Sequence, residues 1–189
     1  MPKQWDLYPP DDVTDHSTGY QFYYHSHGDE KRKSSEHGHF HIYARTDGDR
    51  HQIDTAEEHA FLDRFGATPL DTATVNLLCV SLDSRGVPTH FFTVNRWVTG
   101  DRFVSAEATL RLLEGFRMTS SQAPTVSGLL VGLVQLFLLQ ITTLLNKRDE
   151  KLHDFLKRGK RSCILDDHRI ELLTSVAIDV DRQIMLVAN

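Results

Sequence analysis

The stretch "YYHSHGDEKRKSSEHGHFHIYAR", residues 23–45, decides how the rest of the chain is read. His25, His27, His37, His39 and His41 all lie in it, out of 11 histidines in the protein, so their placement on faces matters more than their number. Residues 20–27 and 36–45 alternate aromatic and β-branched residues with polar ones, which predicts two strands; the charged "GDEKRKSS", Gly28 to Ser35, then connects them as a long-looped hairpin. Successive side chains of a strand point to opposite faces. Gln21, Tyr23, His25 and His27 are therefore expected on one face, opposite Tyr20, Phe22 and Tyr24. In the second strand His37, His39, His41 and Tyr43 share a face, opposite Gly38, Phe40, Ile42 and Ala44. All five histidines fall on one side, and the apolar side is the one that meets the helices.

If the loop closes so that His27 opposes His37, then His25 opposes His39, with facing Cβ atoms about 5 Å apart. Three imidazoles from a His-x-His pair and a cross-strand neighbour then converge on one ion at the usual distance of about 2.0–2.1 Å. His25, His27 and His39 are the first candidates for ligands, followed by His37 and His41. Imidazole suits iron, zinc and copper, and three histidines with an open position make the pattern of a catalytic site. Replacement of one histidine by Glu36 or Glu30 points instead to non-haem iron. A hydrogen-bonded histidine cluster without metal and a plain solvated face are the competing readings, although clustered imidazoles repel one another once protonated.

Outside the hairpin, "TVNLLCVSLD" and "THFFTVNRWV", joined by "SRGVP", predict a second hairpin. His90 begins its second strand directly after the turn. The arrangement loosely resembles the two-part histidine pattern of cupins, in which a later turn and strand supply the last ligand, and this resemblance nominates His90. It departs from that family in spacing: Glu30 follows His27 too soon, and the helical segment from Ser105 to Lys157 does not belong to a simple cupin barrel. Two further strings, "EHGHFH" at Glu36 to His41 and "FTVNRWVTG" at Phe92 to Gly100, resemble an uncharacterised bacterial protein family. That likeness covers most of the chain from Gly19 onward and implies a compact domain with no known activity.

The remaining elements follow from spacing. Residues 1–19 carry Pro2, Pro9 and Pro10 and read as an irregular N-terminal arm. A helix is expected from Thr55 to Phe65, with Thr55 and Glu58 as a capping box. Another runs from Ser105 to Phe116, and a long one covers Val126 to Leu145 with a charged continuation. That long run meets the length of a membrane span. Its polar residues, Gly128, Gly132, Gln135, Gln140, Thr142 and Thr143, gather on one side, which favours a core helix whose small face packs closely on another element. A span, or a homodimer through Gly128 and Gly132, is the lesser reading. The closing "RIELLTSVAIDVDRQIMLVA" reads as one or two strands. The whole is α+β: one domain over residues 1–189, with a mainly antiparallel sheet of two hairpins plus C-terminal strands and three to four helices on one face.

Composition bounds the function. A net charge of −5 argues against a nucleic-acid partner. The basic segment Lys147 to Arg161 reads as a solvated helix end. Two cysteines without metal-finger spacing argue against a disulfide framework, and Cys79 sits in the most apolar strand as a core residue. A reducing, cytoplasmic setting is expected, and the N-terminus has no apolar segment of a secretory signal. Phosphate loops, nucleophile elbows and His-Glu-x-x-His helices do not occur.

The leading expectation is a histidine-ligated metalloprotein, leaning toward an enzyme, with one transition ion acting on a small anionic molecule. Tyr23 or Glu36 handles protons, and Arg96 or Arg45 orients the substrate with Tyr43 and Asn95 nearby. The alternatives are a non-enzymatic metal- or haem-binding protein, and a dimeric interaction module without metal.

Overall fold

The alternation in the opening stretch becomes a strand register. In the computed structural model, which describes residues 7–26, 36–119, 122–158 and 163–188, Tyr20 pairs with Ala44, Phe22 with Ile42, Tyr24 with Phe40 and His25 with His39. Strands β1 (Leu7–Asp15), β2 (Tyr20–Ser26), β3 (Glu36–Arg45), β4 (Thr74–Asp83), β5 (Pro88–Val94) and β6 (Leu172–Ala177) follow one another in space as in sequence. Every neighbouring pair is antiparallel, so the sheet is an open six-stranded meander.

Helices α1 (Thr55–Asp63), α2 (Arg96–Thr99), α3 (Ala106–Glu114), α4 (Pro124–Leu136), α5 (Leu138–Lys157) and α6 (Val180–Val187) complete an α+β fold with more helices than the sequence predicts. The main core lies where α3, α4 and α5 cover one face of the sheet. Phe22, Phe40, Ile42, Val80 and Phe91 meet Leu113, Leu130, Leu133, Ile141 and Leu145 there. Each such side chain contributes roughly 1.5–3 kcal/mol by leaving water. A second cluster, with Phe61, Phe65, Phe103, Leu152 and Leu165, joins α1, α5 and the turn Ile164–Asp166.

Several expectations change. Residues Leu7–Asp15, read as an irregular arm, pair with β2 as an edge strand, and the register shifts between Tyr8 and Val13, where Pro9 and Pro10 fall. Proline donates no ladder hydrogen bond and belongs at an edge or a bulge, so both readings of the prolines meet here. Helix α1 is capped by Asp54, whose side chain accepts from the N–H groups of Ala56 and Glu57, rather than by Thr55. Glu58 is buried against Arg102 and takes no part in a capping box.

The long apolar run is not one helix. It breaks at Phe137, whose ψ of 19° leaves the helical range, and α4 and α5 meet at a 76° bend. The Phe137 ring packs edge-on against Phe91 of β5 at 5.5 Å. No single helix among the described residues is long and apolar enough to cross a membrane. The apolar side of the run is buried as expected, at Leu130, Val134, Ile141, Leu144 and Leu145. Gly128 and Gly132 instead face outward, with nothing within 4 Å of where a Cβ would stand, whereas Gln140 of the same side donates to Gln183 Oε1 of α6 at 2.9 Å. At the C-terminus one strand, β6, is followed by α6 rather than by a second strand.

Candidate metal centre

The face of the sheet opposite the helices carries the histidines. Strand alternation and the β2–β3 register put His25, His39 and His41 side by side, with Tyr23 opposite His41 and Cys79 of β4 on its other flank. One coordinating atom from each of the three histidines lies within 4.8 Å of the others. Ligands at 2.0–2.1 Å around a tetrahedral ion are about 3.3 Å apart, so the three side chains would have to draw closer by side-chain rotation to hold one. The rings already contact one another: His25 meets His39 edge-on at 5.6 Å, and His39 meets His41 at 4.8 Å.

Two irregularities in the sheet shape the site. Glu36 pairs with Asp83 and Gly38 with Leu82, which leaves His37 as an extra residue in β3. This bulge reverses the alternation at the start of the strand. Glu36 therefore comes round to the histidine face, where its Oε1 lies 2.8 Å from His39 Nδ1. His37 turns away, with its Nδ1 2.8 Å from Tyr24 Oη and its ring stacked on that of Tyr24, a residue of the apolar face. The expectation that His37 shares a face with His39 and His41 is thus corrected, and the cause is the bulge. In β4 Leu77 is the extra residue. Asn76 and Cys79 consequently share the histidine face, with the Cys79 sulfur and Asn76 Nδ2 at 3.3 and 3.5 Å from His41 Nδ1.

A carboxylate against Nδ1 of His39 favours the tautomer with its N–H there, and in the neutral imidazole that tautomer carries the lone pair on Nε2. Burial pushes the Cys79 thiol well above its ordinary range, so it remains a thiol, with Asn76 Oδ1 as its acceptor at 3.8 Å. His39 and His41 are only 8% and 3% exposed, whereas His25 is half-buried and marks the open side. Phe92 closes the β5 side, edge-on to His39 at 5.0 Å. The Tyr23 ring stacks on His41 at 4.9 Å, and its hydroxyl accepts from Tyr43 Oη at 3.1 Å. Burial pushes the Tyr23 phenol up to about 12 and that of Tyr43 higher, so both are neutral donors at ordinary pH.

Beside His39 the face dips into a cavity of about 240 Å³ between β4, β5 and β6, lined by Glu36, Ser81, His90, Phe92 and Ser175 among others. His90 opposes Ser81, which in turn opposes His39, so His90 stands two strands from the trio, exposed at the cavity wall.

Of the other candidates, Tyr23, Tyr43 and Glu36 join the histidines. Arg45 lies at the far end of the same face, bonded to Gln21 Oε1 at 3.2 Å and paired with Asp47. Arg96 and Asn95 are not brought to the site. The Arg96 guanidinium is committed to both Asp166 oxygens and to the Thr68 carbonyl, at 2.6 to 3.1 Å. Asn95, fully buried, accepts from the Arg96 N–H and donates to the carbonyls of Ile164 and Ile170. With Gly100 in the left-handed conformation at its other end, it brackets the short helix α2. His27 and Glu30 lie outside the described residues.

Cys79, Asn76 and Phe92 are the neighbours that the sequence does not point to. An apolar run hides a thiol on the polar face once a bulge intervenes.

No curated protein and no solved structure matches the chain. A match to an uncharacterised family does exist, as expected. The model of the family described as Domain of unknown function (DUF6969) covers residues 1–178, and the protein belongs to that family.

Proposed function

We propose that the protein binds one transition-metal ion through His25, His39 and His41 and uses it on a small polar molecule held in the cavity beside His39. The observation that carries this reading is the convergence of three imidazole nitrogens within 4.8 Å, one of them backed by a carboxylate. Carboxylate–histidine pairs are the usual support of a ligating imidazole, because they fix its tautomer and raise its basicity. Held by His25, His39 and His41, an ion would keep a position for water or substrate and would supply Lewis-acid or redox chemistry there. All-imidazole ligation fits zinc, copper and iron alike.

The chain's own residues have distinct parts. Glu36 orients His39 and reaches the cavity. Tyr23 stays a neutral phenol stacked on His41, suited to donate a hydrogen bond rather than to act as a base. Ser81, Ser175 and His90 offer hydrogen bonds to a bound molecule, and Phe92 gives it an apolar wall. An anionic substrate is not part of this proposal, because no arginine or lysine lines the cavity among the described residues.

A second reading, metal binding without turnover, is favoured by the burial of His39 and His41 in the sheet surface. Cobalt(II) substitution separates the two. If added azide or imidazole shifts the cobalt visible bands, an exchangeable position exists, as catalysis requires; invariant bands indicate a closed site used for sequestration or sensing.

A further inference from the structure

A cavity of about 460 Å³ lies on the helix side of the sheet. It is bounded by the β1–β2 turn, the loop after β3 and helix α3. Tyr20 in its wall is five residues along β2 from His25, roughly 17 Å at strand rise, and points to the opposite face. Nothing in the metal reading uses it.

Its walls carry Arg50, Arg111 and Arg117. Arg111 is neutralised by Glu57 and Glu107. The other two are not paired with any described carboxylate: Arg50 Nη1 donates to the His16 carbonyl at 2.5 Å, and Arg117 Nη1 to the Gly115 carbonyl at 3.3 Å. Each retains guanidinium donors beyond that single bond. Among the described residues the one carboxylate in the wall, Asp54, is occupied in capping α1. Both charges are felt by His51, also in the wall: burial first, then Arg117 and Arg50, lower its pKa.

A second observation is independent of charge. Thr18 lines the same cavity at 6% exposure, and its Oγ1 has no hydrogen-bond partner. A buried hydroxyl left without a partner costs free energy that a ligand oxygen recovers. The wall holding it is fixed, because the Asp15 carboxylate accepts from the N–H groups of Ser17, Thr18 and Thr119. Apolar surface from Tyr20, Ile53 and Leu112 completes the cavity and leaves room for more than an inorganic ion.

From this combination we propose that the cavity is a binding site for a small phosphate monoester. The phosphate sits between Arg50 and Arg117 and accepts from Thr18, and the organic part lies on Tyr20 and Leu112. Planar guanidinium forks match phosphate oxygens in pairs, and two of them balance a dianion.

Titration with inorganic phosphate, at ionic strength held constant with chloride and followed by phosphorus NMR linewidth and melting temperature, tests the site. Saturable binding is expected in the natural chain and, because the metal centre is separate, equally in His39→Ala. Arg50→Gln or Arg117→Gln should weaken it roughly tenfold or more, the double variant should abolish it, and Thr18→Val should weaken it with the circular dichroism unchanged. The proposal is overturned if the natural chain shows no saturable binding or if the folded double variant binds as tightly. Loss in His39→Ala with retention in the arginine variants also overturns it, since phosphate would then be a ligand of the metal centre.

Discussion

Glu36 Oε1 lies 2.8 Å from His39 Nδ1, and the two meet because His37 bulges out of β3 between Glu36 and Gly38. If the carboxylate orients a ligating imidazole, Glu36→Gln should weaken metal binding by roughly 10–100-fold while leaving the number of ions bound unchanged. Competition against a chromophoric chelator measures this. Equal affinity in the variant would mean that the pair is a surface contact.

The glycine of "EHGHFH" has a steric reason. A Cβ at Gly38 would fall 2.4 Å from the His25 carbonyl oxygen and 2.5 Å from the Tyr24 hydroxyl. The backbone oxygen has nowhere to go without moving β2. Gly38→Ala should destabilise the fold by about 1–3 kcal/mol, the range for overpacking, and weaken metal binding through displacement of His25. Urea unfolding with and without metal checks both, and a variant as stable as the parent contradicts the close approach.

The hairpin is legible because alternation over "TGYQFYYHS" and "EHGHFHIYAR" is strict enough to sort the faces of both strands before any contact is known. The same rule misplaces His37, since one extra residue reverses every alternation beyond it and the sequence carries no separate signal for the bulge. The break at Phe137 is hidden for a similar reason: "QLFLLQ" carries no helix breaker, and the bend comes with packing against Phe91. Arg96 and Asn95 read as a recognition pair because polar residues at a strand end are ambiguous. The Asn-x4-Gly spacing of "NRWVTG" is a cap at each end of a single helical turn.

Arg96 and Asp166 should behave as a structural pair. Arg96 is buried while Asp166 is half-exposed, so Arg96→Ala should cost about 2–4 kcal/mol, less than a fully buried pair would. The same variant should bind metal with unchanged affinity at a temperature where it is folded. A loss of affinity without loss of stability would place Arg96 back at the histidines.

His51 predicts a pH dependence on the helix side of the sheet. Burial, with Arg117 and Arg50 adding to it, holds its pKa below the ordinary 6.5, against a backbone hydrogen bond to Arg45 that raises it. Between the native value and 6.5 the unfolded chain binds more protons, so stability falls as pH drops through that window and levels off below it. In chelator-treated protein, where the other histidines contribute equally to parent and variant, His51→Gln should lose less stability than the parent as pH falls from about 7.5 to about 5.5, the span over which an unfolded imidazole takes up its proton. Parallel pH profiles of parent and variant would exclude the effect.

The most direct test is elemental analysis of protein purified without a histidine tag and reconstituted with iron(II), zinc or copper, with an absorption spectrum recorded alongside to reveal haem. One ion per chain is expected in the parent, with loss of stoichiometric binding in His25→Ala/His39→Ala. Absence of bound metal, a haem spectrum, or full retention of the ion in the double variant would contradict a centre built from His25, His39 and His41.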